Sequence, residues 1–142
     1  SKMYEPFSEE WANAYGEALN ANEAYRQAAA TWEGALILAV EADPALGLPE
    51  KRGIYLDLYH GQCREARMAT PQDYEQAPYV ISADARTWKE ITEGILDPIS
   101  ALMRGKLKLE KGDMAALAGY MMAALELTNT AKKVPTQYPE GL

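Results

Sequence analysis

The sequence predicts a mixed α/β (α+β) fold, read as one domain over residues 1–142 with loose ends at 1–7 and 134–142. Three observations carry this. The spacing of apolar residues is helical up to Trp32, alternates through most of the run from Glu33 to Ala69, and turns helical again after Asp84. Gly, Pro, Asn and Asp residues punctuate the runs sharply. Finally, 48% hydrophobic residues in a chain of 142 suffice for one core, and the chain is too short for two ordinary domains.

Ser8 is placed to cap a first helix, with Glu9 and Glu10 at its positive end and Trp11, Ala14, Tyr15, Ala18 and Leu19 on one stripe. Asn20 and Asn22 offer a break and a new cap, after which Tyr25, Ala28, Ala29 and Trp32 form a second helical stripe. The period then changes to two. Residues 33–42 and 54–59 alternate as strands, and the Asp43-Pro44 and Gly47 to Gly53 turn residues between them predict an antiparallel hairpin with a long connection. A third strand over 63–69 follows the turn His60-Gly61-Gln62, and its polar alternation suits a sheet edge.

Thr70 to Pro78, with two prolines, reads as a connector, and Tyr79–Ser82 as a short fourth strand. Asp84 caps a helix that aligns Trp88, Ile91, Ile95 and Leu96 and ends near Gly94. Asp97-Pro98 starts a short helix burying Ile99, Leu102 and Met103 before Gly105. Lys106 to Leu109 alternates as a fifth, edge-like strand, and Gly112-Asp113 turns into a last long helix. That helix carries two apolar stripes, one with Met114, Leu117, Met121 and Leu125 and one with Ala116, Tyr120, Ala123 and Leu127. It needs cover on two sides, from the sheet and from other helices, a bound apolar ligand or a second subunit.

The run Ser82 to Trp88, then Ile91, Gly94, Asp97-Pro98, Ala101-Leu102-Met103, Gly105 to Leu109 and Gly112-Asp113 resembles the sterol carrier protein type two (SCP2-like) family in its small stand-alone prokaryotic form. Element order agrees along the chain, and the specific words lie between Tyr79 and about Leu127. The resemblance implies a mostly antiparallel five-stranded sheet covered by helices, with a hydrophobic tunnel between them that takes fatty acyl chains, acyl-CoA, phospholipid or sterol. By position it implies that Trp88, Ile91, Ile95 and Leu96 sit on the helix before the tunnel. Ile99, Leu102 and Met103 would form a wall, and Leu117, Tyr120, Met121 and Leu125 would close it. Departures are Lys111, an extra residue before the Gly112 turn, and Pro139 to Leu142, which is not a peroxisomal address.

Other chemistry finds few parts. A net charge of −7 argues against nucleic acid and against adsorption to anionic membranes. No stretch of about 18 apolar residues supports stable membrane insertion. Cys63 is the only cysteine, which excludes an intrachain disulfide and suits a reducing, cytoplasmic setting. His60 is the only histidine; with Cys63, Asp57 and Glu65 it makes neither a convincing nucleophile set nor a zinc pattern. The expectation is a non-catalytic carrier of an apolar ligand, without cofactor or metal. The alternative is an accessory module that homodimerises or docks a partner enzyme.

Overall fold

The computed structural model describes residues 2–142; the expectation for Ser1 lies outside them. Helix α1 (Glu9–Ala21) begins where the Ser8 hydroxyl accepts from the Trp11 N–H at 3.2 Å, with Glu9 and Glu10 in its first turn. Asn22 then caps α2 (Glu23–Ala28) by accepting from the Tyr25 N–H. This second helix is shorter than the stripe to Trp32 predicts. The Trp32 N–H donates to the Ala29 carbonyl at 3.0 Å, which turns the chain out of the helix and into the sheet.

Strands β1 (Glu33–Val40), β2 (Arg52–Tyr59), β3 (Gln62–Met68), β4 (Tyr79–Ala83) and β5 (Lys108–Lys111) form one sheet in the order β3-β2-β1-β4-β5. Three of its pairings are antiparallel, and β1 runs parallel to β4. The long β1–β2 hairpin sets Leu36 opposite Leu56 and Leu38 opposite Ile54, so the period of two collects one apolar face. The β2–β3 hairpin turns through His60 and Gly61, both with positive φ, as a two-residue connection between right-twisted strands requires. Both edge strands are the polar ones anticipated.

The inner face, with Leu36, Leu38, Ile54, Leu56, Leu58 and Ile81, is covered by helices α1, α2, α4 (Ala85–Thr92), α5 (Pro98–Met103), α6 (Met114–Ala118) and α7 (Met121–Ala131). The outer face has a smaller cluster of Ile37, Ala39, Ala77 and Val80, packed under Tyr74 of α3 (Pro71–Gln76). That helix replaces the connector expected over 70–78. Pro71 stands in its first turn, where no N–H is needed, and Thr70 and Asp73 form a reciprocal capping box.

Three further expectations are corrected. Strand β5 starts at Lys108 rather than Lys106, because the Lys106 and Leu107 N–H groups close the end of α5 on the Ala101 carbonyl and Leu107 is buried. The last helix is two helices: Gly119 and Tyr120 leave regular helical geometry, with Tyr120 at φ −124° and ψ 35°. Nor are the described ends loose. Tyr4 pairs with the 135–137 segment through two backbone hydrogen bonds, the Trp11 indole donates to Thr136 at 2.9 Å, and Phe7 and Val134 are buried. An apolar Phe7 and an indole needing an acceptor tie down segments that lack any period of their own.

Candidate functional site

Helix α7 packs on α1, α2, α4 and α5. Hydrogen bonds fix it to α1 and to the junction of α1 and α2, beside apolar contacts. The Tyr15 hydroxyl donates to the Leu127 carbonyl at 2.7 Å, and the Asn22 side-chain amide donates to the Thr130 hydroxyl at 2.8 Å. Between this helical layer and the inner face of the sheet lies an apolar cavity of about 280 Å³. Leu36, Leu58 and Ile81 form its sheet wall, and Tyr25, Ala29 and Trp32 come from α2 and the turn after it. Residues of α5, α6 and α7 complete the enclosure. A second cavity of about 70 Å³ lies beside Phe7, Trp11, Trp88 and Ile91. Leu36, Ile81, Leu102, Ala124 and Leu127 line both, so the two spaces are neighbours behind one set of side chains.

Of the sequence-derived candidates, Ile99, Leu102, Met103, Leu117, Tyr120 and Met121 converge on the larger cavity, while Trp88 and Ile91 face the smaller one. The other three line neither. Ile95 is 72% exposed, because α4 ends at Thr92 and Gly94 turns the chain at positive φ, so the helical spacing from Ile91 no longer applies. Leu96 packs at the margin of the core. Leu125 misses because the cavity side of α7 centres on Ala123, Ala124 and Leu127, with Met121 at its exposed edge, and one further residue turns Leu125 about 100° away from Ala124. The sheet wall and the Tyr25–Trp32 side escaped the sequence reading. Their apolar periodicity was visible, but it registers burial and carries no mark of an empty space behind it.

Most polar groups around the two spaces are already engaged; the Tyr25 hydroxyl, on the wall of the larger cavity, makes no hydrogen bond among the described residues. The Trp32 indole donates to the Gly34 carbonyl at 2.8 Å, Tyr120 and Thr31 share a hydrogen bond of 3.0 Å, and Thr128 and Thr92 hydroxyls donate back to helix carbonyls. Burial pushes the Tyr25 phenol well above its ordinary pKa, which keeps it neutral. No charged side chain lines either cavity. Such walls offer area and shape, with neither a nucleophile nor an acid–base pair.

The residues weighed for catalysis or metal binding do not assemble. His60 pairs with Glu33 at 2.6 Å on the surface, Asp57 holds Arg64, and Glu65 holds Arg67. Cys63 is buried under α1, and desolvation pushes its thiol up to about 12. Among the described residues, no three His, Cys, Asp or Glu side chains are grouped to hold a metal ion, and no helix is long and apolar enough to cross a membrane.

Fold and cavities define a class: small α/β proteins in which one face of a sheet and a layer of helices enclose an apolar space. The chain belongs to the SCP-2 sterol transfer family, whose model matches residues 13–126. It is 51% identical to a sterol carrier protein 2 of known crystal structure, with 92% of this chain and 99% of that one covered and a TM-score of 0.85. A conserved hypothetical protein from Thermus thermophilus, solved in solution, is 50% identical, with 99% and 97% covered and a TM-score of 0.85. The sterol carrier protein domain 2 of Helicoverpa armigera shares the fold at 15% identity, with 92% and 94% covered and a TM-score of 0.57. Among curated proteins no match was found.

Proposed function

We propose that the protein binds and carries one apolar ligand, such as a fatty acyl chain, acyl-CoA, phospholipid or sterol-like molecule, without chemical conversion. The observation that carries this reading is the 280 Å³ cavity with no charged lining, adjoining a second apolar space behind shared side chains. Each ligand methylene buried there contributes about 0.8 kcal/mol, so a chain binds usefully without polar contacts. A polar head group finds no charged partner inside and stays at the exposed rim beside Met103, Met114 and Met121. Membership of a sterol transfer family and the 51% identity to a sterol carrier protein 2 support the same reading. The lone buried Cys63 suits a reducing compartment, so carriage is proposed for the cytoplasm.

Native mass spectrometry of gently purified protein and displacement of a fluorescent fatty acid test this directly. The expected result is about one ligand per chain, lost in Ala123→Trp and Leu117→Trp, which fill the cavity. Circular dichroism of both variants keeps loss of binding separate from loss of fold. A protein that displaces nothing across fatty acids, acyl-CoA, phospholipids and sterols, yet self-associates or retains an enzyme, supports the accessory-module alternative.

A further inference from the structure

The walls of the larger cavity are divided by residue type. Its leucines and isoleucines, Leu36, Leu58, Ile81, Ile99, Leu102, Leu117 and Leu127, are all buried or half-buried. Its methionines are all at the rim: Met103 on α5 is 84% exposed, Met114 on α6 50% and Met121 on α7 46%. Each of these side chains therefore meets solvent and also faces the space a ligand would occupy. Leucine packs such a lip equally well; what the thioether adds is adaptability and a sulfur open to oxidation.

We propose that Met103, Met114 and Met121 form an oxidation site that lowers ligand affinity when hydroperoxide converts them to sulfoxides. The inference rests on the carrier reading. In each step the thioether sulfur attacks one peroxide oxygen, the O–O bond breaks, an S=O bond forms, and the remaining oxygen leaves as water or an alcohol. Sulfur loses two electrons and the peroxide gains them. The product replaces an apolar group at the mouth by a strongly polar one, and a ligand entering past it must strip water from that group without replacing its hydrogen bonds. Methionine sulfoxide reductases reverse the change. Cys63 does not compete as the sensor, since it is buried and its thiolate is suppressed by desolvation.

Hydrogen peroxide treatment, with peptide mass spectrometry at all six methionines and fatty-acid displacement on the same samples, tests the site. Affinity is expected to fall about tenfold as the three rim positions oxidise, and to recover with reductase. Met3, Met68 and Met122 are also exposed but line neither cavity, so Met3→Leu/Met68→Leu/Met122→Leu keeps the response. Met103→Leu/Met114→Leu/Met121→Leu, compared with its own untreated value, loses it. Unfolding is checked by the urea midpoint, which is expected to stay in place because the oxidised groups lie at the surface. Unchanged affinity with the rim oxidised, resistance of the rim to peroxide, an equal loss in the triple variant, or a loss explained by unfolding overturns the inference. Absence of ligand binding by the untreated protein overturns the carrier reading itself, and this inference with it.

Discussion

Gly16 in α1 faces Ala66 in β3 so closely that a β-carbon on Gly16 would lie 2.5 Å from the Ala66 β-carbon. The approach lets α1 side chains serve the open edge of β3. Asn20 exchanges two hydrogen bonds with the Cys63 backbone, Asn13 donates to the Ala66 carbonyl, and Glu9 accepts from the Met68 N–H. Helix α1 thus satisfies an edge that would otherwise invite pairing with another chain. Gly16→Ala sets two effects against each other. Helix propensity gains about 1 kcal/mol, while overpacking against a methyl fixed to the strand backbone costs about 1–3 kcal/mol. With so short an approach the clash prevails, and a net loss of about 1–2 kcal/mol is expected as a lower urea midpoint. A raised midpoint would show that α1 shifts freely on the edge.

Asn22 joins three helices. Its carbonyl oxygen caps α2, and its amide donates to Thr130 and Glu126 of α7, so one side chain fixes the helical layer above the cavity. Asn22→Ser keeps an acceptor for the cap and gives up the reach to α7; Asn22→Ala loses both. Losses of about 1 kcal/mol for Ser and about 2 kcal/mol for Ala are expected in urea unfolding. Equal losses would mean that the link to α7 alone carries the effect.

Much of this arrangement was legible in the sequence. Ser8, Asn22, Asp84, Asp97 and Asp113 cap helices as their types and positions predict, because a cap is a local device. Helix α3 was missed although Thr70, Pro71 and Asp73 spell its start, since two prolines in nine residues also spell a connector. Site residues on α5 and α6 were found where the helical phase was unbroken. Ile95 failed because it lies just past the end of α4, where the helical phase no longer applies. Leu125 failed because, of the two apolar stripes, the cavity takes on α7 the one with Tyr120, Ala123 and Leu127, a choice that periodicity alone does not make. The sheet wall could not be assigned from the chain alone, since Leu36, which faces a cavity, and its cross-strand partner Leu56, which lines neither, have the same local pattern.

Acid sensitivity is expected at the small outer helix. The Arg67 guanidinium beside Asp73, aided by hydrogen bonds from Thr70, holds the Asp73 carboxyl far below the usual carboxylate range despite its burial. A carboxyl with a depressed folded-state pKa contributes stability fully above its unfolded value, about 4, and loses it as pH falls towards the folded value. Asp73→Asn is therefore expected to cost about 1–3 kcal/mol at pH 7. Its gap from the parent protein should narrow as pH drops from about 4 to about 2. Urea midpoints across that range measure the gap; a constant one would show that Arg67 and Asp73 pair in the unfolded chain as well.

Ala124 lines both the larger and the smaller cavity, so it stands where a chain extending from one into the other would pass. Under the proposed function, ligand length then decides how much a substitution there matters. Ala124→Phe places a ring at that junction while leaving the mouth, with Met103, Met114 and Met121, unaltered. A short acyl chain held in the larger cavity should lose little. A long one must withdraw methylenes from the smaller cavity, at about 0.8 kcal/mol each, and two withdrawn methylenes already amount to about a tenfold loss. The expected outcome is at least about a tenfold weaker displacement by fatty acids of about sixteen carbons, with less than about a threefold change at about eight carbons. An equal effect at both lengths would mean that ligands occupy the larger cavity alone and that the space beside Trp88 is a packing defect of the core.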